Sequence, residues 1–254
     1  MTKRVLVTGT DSGLGSTLLE TLGSESLTRG IDPSERWDDA PYDAIIHCAI
    51  DLTDDRSNPS PFDPASRNVA LLQNVLRIPH RMFIHISSVD VYPESDSPKR
   101  EDTALGTIPK DNSYRAVKLA CEAALTASDR PHLILRPTAL LGPTARPNSL
   151  IRMIRDPGCQ LTLNPASTFN YVLHRQVGDF IQTALRDGLS GVYNLAASGN
   201  LRLDEVAEIV GAIPGYGGFM YCVGEIDNAK AKALHPSFAM NSAQVVTAFM
   251  KEFA

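Results

Sequence analysis

Short apolar runs alternate along the chain with stretches whose apolar residues recur every three to four positions. RVLVTG (4–9) predicts a buried strand. GLGSTLLETLG (13–23) follows directly, and Leu14, Leu18 and Leu22 on one side predict a helix. AIIHCA (44–49) predicts another strand, and NVALLQNVL (68–76) a helix with Val69, Leu72, Val75 and Leu76 on one side. RMFIHISS (81–88) and HLILRP (132–137) predict strands on either side of a helix in SYRAVKLACEAAL (113–125). Strands that alternate with helices imply right-handed crossovers and a mostly parallel sheet covered on both faces. Such sheets bind ligands beyond the carboxyl ends of their strands.

After about residue 140 the rhythm loosens. GPTARPNSL (142–150) predicts a loop, with helices near 176–187 and 204–213 and a strand at GVYNLA (191–196). IPGYGG (213–218) is turn material, and DNAKAKAL (227–234) and NSAQVVTAFMKEF (241–253) are helical. The pattern divides the chain into a core at 1–140 and a smaller lobe at 141–254. The chain is expected to cross back to the core near 171–196.

Composition narrows the class. The 254 residues are 43% hydrophobic and 21% charged, with a formal net charge of −5. That is enough apolar material for a large core, and it carries no basic footprint for nucleic acid or a membrane surface. No apolar run approaches the roughly 20 residues of a membrane span, and no signal-peptide pattern precedes the first strand. Cys48, Cys121, Cys159 and Cys222 show no metal or redox spacing and are expected to be buried free thiols, as suits a cytoplasmic protein. His47 and His85 alternate within apolar strands and are expected to be satisfied core or rim residues. No pair of histidines has metal spacing.

Chemistry enters at VTGTDSGLGS (7–16), which joins the first strand to the first helix. Gly9 permits a tight turn. Gly13 and Gly15 leave room for a pyrophosphate or a neighbouring strand, and the helix N-terminus presents free N–H groups to phosphate. An acid about 20 residues on would hold an adenosine ribose, and Asp32 lies at that distance. A carboxylate there accepts from both ribose hydroxyls and repels a 2′-phosphate, which favours NAD. Arg29 and Arg36 lie close enough to keep NADP possible.

Tyr114 and Lys118 are four residues apart and share one helix face. An ammonium beside a phenol eases its deprotonation, so such a pair can pass a proton to or from a substrate oxygen. Asp111, Asn112 and Ser113 are candidate caps for that helix. Ser88, in ISSVDVYP (86–93) at the end of a predicted strand, could bond the same oxygen.

With these residues together, the chain resembles the extended branch of the short-chain dehydrogenase/reductase superfamily, the NAD-dependent epimerases and dehydratases. The resemblance runs through VTGTDSGLGS, Asp32, DAIIHCA (43–49), Asn68, ISSVDVY, Tyr114–Lys118 and LRPTALLGP (135–143). It continues through NYVLHRQVGDF (170–180), GVYNLA and DNAKAKAL. It implies an α/β fold, a Rossmann-type doubly wound parallel sheet with a small C-terminal α/β substrate lobe. It implies a catalytic set of Ser88, Tyr114 and Lys118. It also implies a dinucleotide held by Gly9, Asp11, Ser12, Gly13, Leu14, Gly15, Asp32, Ala49, Ile50, Asn68, Pro137 and Thr138, with Tyr114 and Lys118 beside the nicotinamide. The implied activity is NAD-dependent hydride transfer at a hydroxyl or keto carbon of a sugar or sugar nucleotide. The alternatives are an NADP-dependent reductase of a small ketone and a non-catalytic dinucleotide-binding protein. A homodimer is the family expectation.

The sequence also departs from that pattern. Ser12 stands where glycine is usual, and the third strand is barely visible, with Asp38 or Asp39 as stand-ins for its acid. Phe169 stands where sugar-nucleotide epimerases carry an arginine, and Leu173 and Gln176 replace the usual histidine and aspartate. Arg146, Arg152, Arg155 or Arg175 could supply the missing charge for a diphosphate. Asp90 occupies the position of the dehydratase glutamate.

Overall fold

The structure is a computed structural model that describes residues 3–51, 63–109 and 114–253. Asp111, Asn112 and Ser113 lie outside the described residues.

Elements are numbered in chain order. Six parallel strands make the central sheet: β1 (Val5–Thr8), β2 (Glu25–Leu27), β3 (Ala44–His47), β4 (Phe83–Ile86), β5 (His132–Pro137) and β9 (Gly191–Leu195). Their spatial order is β2-β1-β3-β4-β5-β9. The helices on the sheet are α1 (Gly13–Leu22), α2 (Pro64–Leu76), α3 (Tyr114–Thr126), α5 (His174–Asp187) and α7 (Ala229–Leu234).

The alternation of strand side chains assigns the two faces. Val5, Val7, Ile46, Ile84, Leu133 and Leu135 pack with Leu14 and Leu18 of α1 and Val177 and Phe180 of α5. Their neighbours Leu6, Ile45, Phe83 and Ile134 point the other way, onto Leu72 and Val75 of α2 and Cys121 and Leu125 of α3. Both faces are covered, so each strand reads as an unbroken apolar run.

Chain order reverses at β1, with β2 on one side and β3 on the other. The crevice beyond their carboxyl ends is where an open sheet binds ligands. β2 is the edge strand. A 3-10 turn at Pro33–Arg36 follows it where a third strand is usual. A polar cluster closes this edge. Arg4 and Arg36 reach Glu25 at 2.8 and 3.0 Å, and the Tyr42 hydroxyl lies 2.9 and 3.1 Å from carboxylate oxygens of Glu25 and Asp39, sharing its one hydrogen between them. Asp39, one candidate for an adenine-binding acid, is thus engaged by Arg36 and Tyr42.

The smaller lobe has its own core. β6 (Ala139–Leu141) pairs with β8 (Tyr171–Leu173), and β7 (Thr168–Phe169) runs antiparallel to β10 (Leu201–Arg202). Leu150 and Met153 of α4 (Ser149–Arg155), Leu203 of α6 (Leu203–Val210), and Val246 and Phe249 of α8 (Ser242–Phe253) close over Tyr171. The chain leaves the sheet at β6 and returns to it with α5 and β9. It comes back to the lobe with β10 and α6, and α8 ends it there. Gln176 is structural: its side chain accepts from Leu173 N at 2.8 Å and donates to the Ser237 carbonyl.

Two expectations about core residues need correction. Cys222 is exposed and Cys48 half-buried; only Cys121 and Cys159 are buried, and all four are free. His47 is satisfied, with Nδ1 2.9 Å from Thr8 Oγ1, but neither ring nitrogen of the buried His85 has a partner among the described residues. His85 instead stacks on His47, ring centroids 5.7 Å apart.

Candidate active site

The turn between β1 and α1 is built by close approach of backbone. Gly9 has φ +72°, and a Cβ there would stand 2.7 Å from Ala49 Cα at the end of β3. A Cβ on Gly15 would overlap the Gly9 carbonyl oxygen. Both positions therefore exclude any side chain. Gly13 differs, because a Cβ there would meet nothing nearer than Arg146 Cγ at 3.9 Å. That side of the turn is open to the groove.

A groove runs over the turn in two halves. One, of about 380 Å³, includes Asp11, Thr28, Arg29, Ile31 and Ala49 in its lining. The other, of about 520 Å³, includes Ser88, Tyr114, Lys118, Pro137 and Thr138. Gly9, Ser12, Cys48, Ile50 and Arg146 border both halves. Gly13, Leu14 and Gly15 line the second half.

Three polar side chains converge in that second half. Ser88 lies two residues beyond β4 and caps the short 3-10 turn Val89–Val91, its Oγ accepting from Asp90 N at 3.1 Å. A hydroxyl that accepts there keeps its hydrogen free to donate. Tyr114 opens α3 and is 37% exposed, facing the cleft. Lys118, one turn on, is buried, its Nζ donating to the Ile86 carbonyl at 2.7 Å. An ammonium has three donors, so two remain. Its nitrogen lies 5.6 Å from the centre of the Tyr114 ring.

A buried network stands behind this wall. Glu122 accepts from Ser87 Oγ and takes both Nε and Nη2 of Arg136, at 3.0 and 2.7 Å. Arg136 also donates to Tyr92 Oη at 2.8 Å, and Tyr92 donates to Asn194 at 2.6 Å. The network ties the end of β4, and with it Ser88, to α3 and to β5 and β9.

The smaller lobe supplies the opposite wall. Phe169 and Tyr221 pack with ring centroids 5.0 Å apart, and Val89, Leu140 and Val223 complete an apolar end. Asn170 is buried and tied to Thr138 Oγ1 at 3.1 Å and to the Ala197 backbone. His174, also on the wall, holds Thr17 Oγ1 at 2.9 Å, and burial lowers its pKa to about 4. Burial, then the Lys118 charge, takes His47 to about 3. Among the residues lining this half, Lys118 and Arg146 carry the positive charge. Arg152 is turned to the Gln160 carbonyl and Arg175 to Glu252.

Two more of the expected cofactor residues have partners within the protein. The Asp32 carboxylate accepts from Ser34 N at 2.9 Å as the cap of the 3-10 turn, and Asp32 does not line the groove; Arg29 does. Asn68 is buried and clamps the loop after β3, accepting from Asp51 N at 2.8 Å and donating to the Asp51 and Pro64 carbonyls. It shapes the loop that carries Ala49 and Ile50. Sequence reasoning missed the aromatic wall at Tyr221, because nothing local to residue 221 signals that it meets residue 90.

Residues 26–157, half of the chain, match the model of the NAD dependent epimerase/dehydratase family. The chain belongs to this family. A nicotinamide dinucleotide is accordingly its cofactor class. The matched segment contains Ser88, Tyr114 and Lys118, whereas the glycine turn precedes it. No curated protein matches the chain. Among solved structures, UDP-N-acetylglucosamine 4-epimerase from Bacillus cereus is similar over 98% of this chain and 99% of that one, with TM-score 0.75 and 20% identity. UDP-glucuronic acid 4-epimerase from the same organism, in complex with UDP-glucuronic acid and NAD, is similar over 99% and 100%, with TM-score 0.74 and 19% identity. RMD from Pseudomonas aeruginosa, complexed with NADPH, is similar over 100% of both chains, with TM-score 0.73 and 18% identity. At these identities the likeness is one of fold. Among the described residues no helix of this epimerase/dehydratase family member is long and apolar enough to cross a membrane.

Proposed function

We propose that this protein is an NAD(P)-dependent oxidoreductase of the epimerase/dehydratase type, acting at a hydroxyl or keto carbon of a sugar-like substrate. The observation that carries this reading is convergence. Ser88, Tyr114 and Lys118 reach one cleft, and the cleft continues into the groove over the glycine turn. The residues present fit a dinucleotide, since the turn is open at Gly13 and closed by backbone at Gly9 and Gly15.

The bound nicotinamide would take up or return hydride at C4. The chain's own residues do the rest. Tyr114 exchanges a proton with the substrate oxygen. The free hydroxyl hydrogen of Ser88 donates to the same oxygen and stabilises charge that develops on it. Lys118 places positive charge beside the phenol and keeps two donors for ribose hydroxyls. The apolar wall of Phe169 and Tyr221 excludes water from one side.

The same wall favours a second reading of the substrate. A diphosphate needs cationic donors, and at the substrate end an aromatic pair replaces them. A small sugar derivative or other hydroxy/keto compound fits that lining better than a sugar nucleotide. The outer face of α2 and α3, with Ile108 exposed beside Val69 and Ala116, is the proposed homodimer contact.

The test is Tyr114→Phe. The variant keeps the ring, loses most turnover on a panel of sugars, sugar nucleotides and ketones, and still binds NADH or NADPH. Wild-type protein that binds dinucleotide and turns over nothing would make it a binding protein. Full activity in Tyr114→Phe would remove the acid/base role.

A further inference from the structure

The loop after β6 belongs to the smaller lobe, yet it is fastened to the glycine turn of the core. Gly13 N–H donates to the Thr144 carbonyl at 2.9 Å, and Thr144 Oγ1 donates to the Gly13 carbonyl at 2.7 Å. Thr144 Oγ1 is also 3.3 Å from Thr17 Oγ1 on α1, and Thr17 is held in turn by His174. A Cβ on Gly142 would overlap the His174 ring, so the loop lies flat on these partners.

Two residues beyond Thr144, this fastening sets Arg146 over the turn. Its Cγ and Nε lie 3.9 and 4.0 Å from where a Gly13 Cβ would stand. Arg146 borders both halves of the groove, and among the described residues it has no hydrogen-bond or ion-pair partner. The junction of the two halves is the place where the pyrophosphate of a dinucleotide must lie, because its two nucleosides need opposite ends. One donor of the turn is already used there, since Gly13 N–H goes to Thr144. An unpartnered guanidinium with five donors stands over the same spot.

We propose that Arg146 binds the cofactor pyrophosphate from the lobe side, so that the smaller lobe closes one wall of the dinucleotide site. This rests on the reading that the groove takes a dinucleotide. It separates the cations of the cleft. Arg146 serves the cofactor, which leaves the substrate end without a guanidinium.

Binding of NADH, NADPH, ADP-ribose and adenosine to the full chain tests it, in wild type, Arg146→Met and Arg146→Lys. Charge-assisted hydrogen bonds of this kind are each worth about tenfold or more in affinity. Arg146→Met should weaken NADH, NADPH and ADP-ribose by one common factor of about that size, and adenosine hardly at all. Arg146→Lys should recover part of the loss, because it keeps charge without the fork. The common loss should shrink at high salt. A loss confined to NADPH would assign Arg146 to a 2′-phosphate and overturn the proposal. Unchanged dinucleotide binding with a raised substrate KM would assign it to a substrate anion and also overturn it. Equal loss of adenosine would make its role structural. Wild type that binds no dinucleotide would instead overturn the functional reading beneath.

Discussion

Tyr221 of the smaller lobe donates to Asp90 Oδ1 at 3.4 Å, across the mouth of the cleft from the end of β4. Burial, then the Asp90 charge, raises the Tyr221 pKa well above its ordinary value, so the phenol stays a donor. The bond links the loop that carries Ser88 to the wall that carries Phe169.

Tyr221→Phe keeps the ring against Phe169 and removes the donor. The bond is long, so stability should fall by no more than about 1 kcal/mol. KM should change several-fold while the Kd for NADH holds. Steady-state kinetics with a parallel cofactor titration reads both, and equal shifts in the two would place Tyr221 outside the substrate end.

On the proposed function, the half of the groove over Thr28 and Arg29 takes the adenosine and sets the cofactor preference. Arg29 lines it, whereas the Asp32 carboxylate caps Ser34 outside it. Arg29→Ala should therefore weaken NADPH more than NADH, and Asp32→Ala should weaken the two alike. Fluorescence titration of both cofactors decides. A selective loss of NADH in Asp32→Ala would return the ribose to Asp32.

Glu122 and Arg136 form an ion pair at 2.7 Å with side chains only 6% and 4% exposed. Removing one partner strands a buried charge, at a cost of about 3–5 kcal/mol. Glu122→Ala should lose that much in urea unfolding, whereas the apolar double variant Glu122→Leu/Arg136→Met should recover most of it. A single variant as stable as wild type would show that the pair is not buried in solution.

Acid should unfold the protein early. Burial holds His47 near 3 and His174 near 4, against about 6.5 in the unfolded chain. The unfolded state thus binds protons that the folded state refuses. Stability is complete above pH 6.5 and falls as pH drops toward 4, by up to about 1.4 kcal/mol per pH unit for each such histidine. Urea midpoints at pH 8, 6.5 and 5 test this. His47→Asn should flatten the slope, and a midpoint constant from pH 6.5 to 5 would contradict it.

The core strands were legible because a strand buried on both faces must be apolar throughout, as VLVT, AIIH and FIHI are. The two- and three-residue strands of the smaller lobe were not, since period two cannot be read over so few positions. The helix α4 escaped for a related reason: its seven residues follow a proline-rich loop, and their apolar face meets only the lobe. Asn68 shows a subtler limit. Its place in the pattern was plain, but only the hydrogen bonds to Asp51 show that it shapes the loop beside the cofactor groove.

From residue order alone came the alternation of strands and helices, the glycine turn, and the polar types at strand ends. Each of these reflects a local cause, burial of one face or the φ that one turn requires. Tertiary packing decided what those local features meet. It laid Thr144 on Gly13 and Tyr221 against Asp90, each pair 131 residues apart in the chain. Such meetings depend on the docking of one lobe on another, and no spacing of neighbouring residues encodes that.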